Sequence, residues 1–226
     1  MRWHVVTSFI AVQMITGCSS SGDMQTGNTS ATGVTGDATQ STINSSFHIN
    51  LADVPGYNSA DPVDDQYLSV VNYLRMLSIK CNDSRGLSGP VGTDLQNESH
   101  LQASAREHSE DMRISGHYDH KGSGTASDTT GQALGHASTP RERMKHNGYT
   151  GTLTAENIAF FASTKLPEDK EWVHAMEGWM TSTHGHCSSI MNPNLTDFGM
   201  HESCTTSPDA QGYYRCYWTQ DFGGTI

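Results

Sequence analysis

Tyr213-Tyr214-Arg215-Cys216-Tyr217-Trp218-Thr219-Gln220-Asp221-Phe222 is the stretch whose reading decides the fold. It is dense in Tyr, Trp, Thr and Cys, the residues that suit a pleated, packed strand. Just upstream, Ser207-Pro208-Asp209-Ala210-Gln211-Gly212 has the composition of a hairpin turn. Asp197 to His201 is the strand such a turn would return from, and Asn157 to Ala162 is a third strand. Helical spacing surrounds them. Tyr67, Val70, Val71, Leu74 and Leu77 fall at i, i+3, i+4 and i+7. Leu101, Ala105, His108 and Met112 repeat the pattern within a helix expected over Leu95 to Ser115, with Gly116 as its stop. Pro140 to His146 reads as a short helix with proline in its first turn. Trp172, Ala175, Met176, Trp179 and Met180 mark another helix, opened by Pro167, Glu168 and Asp169. Lys121 to Gly135 is rich in Gly, Ser and Thr and reads as a loop. Short hairpin-linked strands among helices give an α+β class: helices packed on a small antiparallel sheet.

The chain has 226 residues, 16% of them charged and 35% hydrophobic. Mean hydropathy is -0.53. That length allows one medium domain with appendages. Lys+Arg number 13 against Asp+Glu 24, a formal net charge of -11. Nucleic acid is therefore excluded as a partner, because binding to it is driven by basic side chains on phosphates.

The N-terminus reads as a processing signal. Arg2 supplies a positive start and Val5 to Ile15 a mostly apolar stretch, too short for a membrane span of about 20 residues. Ile15-Thr16-Gly17-Cys18 looks like a bacterial lipobox, in which the cysteine is acylated and becomes the first mature residue. Ser19 after it resembles the outer-membrane default. Ser19 to Ser46 carries hardly a large apolar side chain, so it reads as a flexible tether. The expected organisation is a signal peptide over 1–17, then lipidated Cys18, tether and lead-in over 18–59, then a folded domain over 60–226. The expected location is the bacterial outer membrane or cell surface, with the lipid as membrane partner.

Without Cys18, four cysteines remain: Cys81, Cys187, Cys204 and Cys216. An even number in an exported chain points to two disulfides, and four cysteines allow three connectivities. Cys204 and Cys216 flank the hairpin turn, where cross-strand pairing is natural. That leaves Cys81 with Cys187. A cysteine-based zinc site is the competing reading, against which no CxxC pair is present.

Four segments occur in a recognisable order: Gly116-His117-Tyr118-Asp119-His120; Thr139-Pro140-Arg141-Glu142-Arg143 followed by Gly148-Tyr149 and Ala155-Glu156-Asn157-Ile158-Ala159; Gly178-Trp179-Met180-Thr181-Ser182 followed by Gly185-His186-Cys187-Ser188-Ser189-Ile190-Met191-Asn192-Pro193; and Tyr217-Trp218-Thr219-Gln220-Asp221-Phe222-Gly223. Together they resemble the CAP superfamily (cysteine-rich secretory proteins, antigen 5, pathogenesis-related 1) in its bacterial SCP-like branch, over about Gln66 to Gly223. The resemblance implies a three-layer α-β-α sandwich with a cleft holding two histidines and up to two acidic residues. Matched position by position, the histidines are His120 and His186 and the first acid is Glu156. The second acidic position, three residues after Trp179, holds Ser182, so the set of four is broken. One extra residue precedes the Gly-His pair, which makes His184 an additional candidate. His117 stands where the family has a hydrophobic or aromatic residue and reads as a packed ring.

The chemistry follows from the residue types. Two neutral imidazoles can bind Zn²⁺ or another divalent metal weakly, with a carboxylate as third ligand or as the group that holds one histidine by its other nitrogen. His120, His186 and Glu156, with His184 in reserve, are the candidate metal residues. The leading function is non-enzymatic: an envelope or surface binding module. The runner-up is a metal-assisted, peptidase-like hydrolase with Glu156 as general base beside His120 and His186. Binding of sterol or fatty acid is a third class, against which no long apolar loop is present. The plainest alternative is a hydrogen-bonded network that shapes the cleft. Gly86-Leu87-Ser88-Gly89 lacks the spacing of a nucleophile elbow, and no HExxH occurs.

Overall fold

The structure, a computed structural model, describes residues 41–43 and 46–225. The expected signal peptide, Cys18 and most of the expected tether lie outside these residues. In chain order the elements are β1 (Ser41–Thr42), a 3-10 turn (Leu51–Asp53), α1 (Val63–Met76), β2 (Ile79–Lys80), β3 (Gln96–Asn97), α2 (Ser99–Ser115), α3 (Thr129–Leu134), α4 (Pro140–His146), β4 (Leu153–Ser163), α5 (Glu171–Thr181), α6 (His186–Ile190), β5 (Asp197–Cys204) and β6 (Tyr214–Gly224).

The principal sheet has the order β3-β5-β6-β4. Its three long strands are antiparallel, with β6 central. β3 adds two residues in parallel to β5, so the sheet is mixed rather than purely antiparallel. β1 and β2 form a separate parallel pair. Strand alternation sends successive side chains to opposite faces. On one face Phe198, Met200, Cys216, Trp218 and Phe222 join Val70, Leu74, Trp172, Met176 and Trp179 in the main apolar core, beneath α1, α5 and α6. On the other face Gly199, Thr219, Asp221, Glu156 and Ile158 lie under α2 and α4. Gly199 is required there: a Cβ on it would sit 2.3 Å from the Gln102 nitrogen and 2.4 Å from the Leu101 carbonyl carbon. α2 crosses the sheet at backbone contact, which only glycine permits.

The two interlayers differ in kind. One is apolar. The other has only small apolar clusters around Leu101, Met144 and Tyr149, and around Met112, Ile158 and Tyr217. Between those clusters Ser104, His108, Asp111, Arg143 and Asp221 are buried.

Both disulfides form with the expected pairing, Cys81–Cys187 and Cys204–Cys216. The second joins directly opposed residues of β5 and β6. Arg75, fully buried, donates to the carbonyls of Ile190, Asn192, Leu195 and Thr93, fastening the end of α6 to α1. Three expectations shift. Packing reaches N-terminal of Ala60: Ile43, Ile49 and Val54 are buried in the main core, and the Ile49 N–H donates to Glu177 at 2.8 Å. The Gly/Ser/Thr-rich segment contains α3, capped by the Asp128 carboxylate on the Gly131 N–H at 2.9 Å. His117 is exposed, because Gly116 ends α2 in the left-handed region at φ 72 and turns the next residue outward.

Candidate functional site

The loop carrying His120 is held from both ends. After it, Asp111 of α2 accepts from the Ser123 N–H at 2.7 Å, the Ser123 hydroxyl at 2.6 Å and the Ser127 hydroxyl at 2.5 Å. Before it, the Asp119 carbonyl accepts from His108 Nε2 at 2.9 Å. α4 is set by a capping box between Thr139 and Glu142, with Pro140 at its start. That placement drives Arg143 inward.

Glu156 is the hub. Its side chain is 2% exposed. Oε1 accepts from His120 Nδ1 at 2.7 Å, and Oε2 accepts from the Arg143 guanidinium at 2.6 Å. Arg143 also donates to the His120 carbonyl at 2.8 Å and to the Ser138 carbonyl and hydroxyl. Asp221 lies directly opposite Glu156 in the β4–β6 register and is fully buried. Two carboxyls and one guanidinium thus share a dry space. Burial raises the Glu156 carboxyl, but Arg143, and then His108 and His120, outweigh it and hold it at about 2. Burial and the charge of Glu156 push Asp221 well above the ordinary carboxylate range. One of the pair is ionised and the other protonated, as expected for two close carboxyls.

His186 approaches from the opposite layer, at the start of α6. Its Nδ1 is hydrogen-bonded to the Ser182 hydroxyl at 2.9 Å, and its carbonyl accepts from the Asn157 amide at 3.2 Å. Asn157 is the neighbour of Glu156 on β4, so the two histidines reach the same stretch of an edge strand from its two faces. Burial, then the charge of His120, lowers His186 to about 4. It is therefore a neutral imidazole at neutral pH. For His120 burial works against the charged form, but the hydrogen bond and charge of Glu156 prevail and its pKa is raised. Both rings use Nδ1 internally; among the described residues neither Nε2 has a protein hydrogen bond.

The structure thus sets His120 on Glu156 and His186 beside Asn157, at adjacent positions of β4, with Glu156 in a holding role. Ser182, at the position expected to be acidic, is the group that orients His186. His184 is exposed, and its N–H donates to Ser182 at 3.1 Å. Among the described residues no group of three or more His, Cys, Asp or Glu side chains is arranged to hold a metal ion. Three members of the network escaped the sequence reading. His108, fully buried with a pKa lowered to about 4 by burial and then Arg143, was counted only as part of a helix face. Its signal was an imidazole on an apolar stripe. Arg143 lay inside a motif, and Asp221 inside a strand, with no cue that either faced inward. The described surface grooves, of about 550 and 520 Å³, lie along α2 and beside α4 and do not include either cleft histidine.

Residues 68–222 match the family model described as "Cysteine-rich secretory protein family", abbreviated CAP. The chain is 33% identical over 132 residues to an uncharacterized protein, YkwD, of Bacillus subtilis strain 168. The match covers 58% of this chain and 39% of that protein, so the chain spans well under half of the relative's length. No solved structure matches.

Proposed function

Because the chain belongs to the cysteine-rich secretory protein family, we propose that it is a binding module whose cleft takes a divalent cation weakly through His120 and His186. It is a CAP-domain protein of the secretory type, with two disulfides that suit an oxidising compartment. The observation that supports the reading is the state of the two rings. Each has Nδ1 fixed by a partner, leaving Nε2 without a protein hydrogen bond among the described residues. Holding one imidazole nitrogen fixes the tautomer and the orientation of the other, as metal-binding histidines require. Zn²⁺ fits this donor set, and two protein ligands leave it open to water or to a ligand group. Such a cation would supply a Lewis-acidic point for anchoring a ligand oxygen or nitrogen. The protein's own part is orientation: Glu156 and Ser182 aim the rings, and Arg143 keeps Glu156 ionised.

Glu156 has both oxygens engaged and its side chain closed off from solvent. That favours binding over a hydrolase in which it would serve as general base. For the location, acylation of Cys18 on the lipobox-like sequence would tie the domain to a membrane surface. Among the described residues no helix is long and apolar enough to cross a membrane.

Calorimetric titration of Zn²⁺ into the wild type and into His120→Ala/His186→Ala tests the cation reading. A saturable heat is expected only in the wild type, with the same far-UV circular dichroism for both. Equal heats would move the site to surface histidines, and no heat in the wild type would remove it.

A further inference from the structure

We propose that the outer edge of β4 at Thr154–Glu156, with the basic groove beside it, docks an extended peptide bearing an acidic side chain. The proposal deepens the reading of the cleft as a binding site, since this strip of edge leads into it.

Among the described residues β4 is the last strand of its sheet, so one side of it has no strand partner there. The Ile158 carbonyl accepts from Trp179 Nε1 at 2.9 Å and from the Tyr118 hydroxyl at 3.2 Å. Ile158 therefore turns its main chain away from β6, and Trp179 and Tyr118 close the edge there. Main-chain groups in an antiparallel strand alternate with a period of two, so Glu156 and Thr154 turn the same way. Glu156 as a residue is partly exposed although its side chain is 2% exposed, so what meets solvent is its main chain. Open strand edges of this kind accept a further strand through main-chain hydrogen bonds.

Charge selects the occupant. Thr154 also lines a groove of about 520 Å³ whose other walls include Arg141, Lys145, Thr150 and Thr152. Arg141 and Lys145 are one turn apart on α4 and both exposed. Among the described residues neither makes an ion pair. The nearby carboxylates are committed elsewhere: Glu142 to Thr139 and His136, and Asp197 to the Tyr149 hydroxyl. In a chain of net charge -11 this is a local reversal of sign. Strands advance about 3.3 Å per residue. An acidic side chain held in the groove thus sets the next residues of an added strand beside Glu156, at the mouth of the His120–His186 cleft. Edge pairing gives affinity without reading side chains, and the groove supplies the preference.

The test uses immobilised full-length protein and a pooled library of acetylated, amidated hexapeptides, with retained peptides identified by mass spectrometry. A second pool carries N-methyl groups at alternate peptide nitrogens. Retention of the first pool, enrichment of Asp and Glu at one position, and loss of retention on N-methylation are expected. Thr154→Pro removes an outward N–H while sparing the β6 ladder and should lower retention about tenfold. The methylated pool probes the same contact from the ligand side whether or not that variant folds. Arg141→Glu/Lys145→Glu should abolish the acidic preference. His120→Ala/His186→Ala should keep peptide retention while losing zinc, which separates this proposal from the cation reading. No retention, indifference to N-methylation, or an acidic preference that survives charge reversal overturns it. Self-association of the chain that Thr154→Pro abolishes would give the edge to a second copy, and would overturn it too.

Discussion

Removing Arg143 probes the polar interlayer most severely. Arg143 is 1% exposed and stands 2.6 Å from Glu156, whose side chain is 2% exposed. Arg143→Met would leave a carboxylate in a dry space beside Asp221 with its main countercharge gone. Breaking a buried pair by deleting one partner costs about 3–5 kcal/mol. The carbonyls of His120 and Ser138 lose donors as well, which places the expected loss near the upper end of that range. A typical domain has only about 5–15 kcal/mol in hand, so the variant should be near the edge of stability. Glu156→Gln alone strands the guanidinium and should cost a comparable amount. The double variant Arg143→Met/Glu156→Gln removes both charges and should recover about 2 kcal/mol or more relative to the sum of the single changes. Urea unfolding at pH 7 with disulfides intact gives all four corners of the cycle. A loss below about 1 kcal/mol for Arg143→Met, or strict additivity in the cycle, would show that the cluster is not a closed charge system.

Cys18→Ser should shift the protein from the membrane to the soluble fraction or leave it unprocessed; unchanged partitioning would remove the lipid anchor. Opening Cys81–Cys187, which spans 106 residues, should cost more than opening Cys204–Cys216, which spans 12: about 5 against about 3 kcal/mol in the chain-entropy account, read from unfolding midpoints of the Cys→Ala pairs. Acid should destabilise the fold between pH 6.5 and 4. His108, His186 and His201 all sit at about 4 when folded, so the unfolded chain takes up protons there that the folded chain refuses. For fully buried His108 the difference is about 3 kcal/mol. Raised Asp221 pulls the other way, since the folded state keeps a proton that the unfolded state loses. A net rise in stability from pH 6.5 to 4.5, measured by urea midpoints, would contradict the burial of these imidazoles.

The apolar half of the fold was legible because its signals are strong and local. Trp172, Met176 and Trp179 repeat at helical spacing and do form the buried face of α5. The aromatic run forms β6 from Tyr214 onward, and this central strand is buried on both faces over most of its length. The polar half was not legible. Asp221 and His108 have the composition of surface residues; only the register that sets Asp221 against Glu156 and the crossing of α2 at Gly199 enclose them. α3 was hidden because its stability is tertiary: its cap is Asp128, and its Thr130 is held by Glu107 of α2 through two hydrogen bonds. β3, two residues long, carries no periodic signal at all. His120, His186 and Glu156 were named by motif, while their hydrogen-bond partners were visible only in the fold. Glu156 holds the Nδ1 of His120, and Ser182 holds the Nδ1 of His186 in the same way.

The central claim is that two imidazoles from opposite layers converge over one edge strand to form a cation site. Crystals soaked in Zn²⁺, with anomalous data collected on both sides of the zinc edge, test it directly. An anomalous peak bridging His120 Nε2 and His186 Nε2, with Glu156 still bonded to Arg143 and His120, is the result expected. Peaks confined to exposed histidines such as His100 and His174, with the cleft pair unliganded in fully soaked crystals, would contradict it.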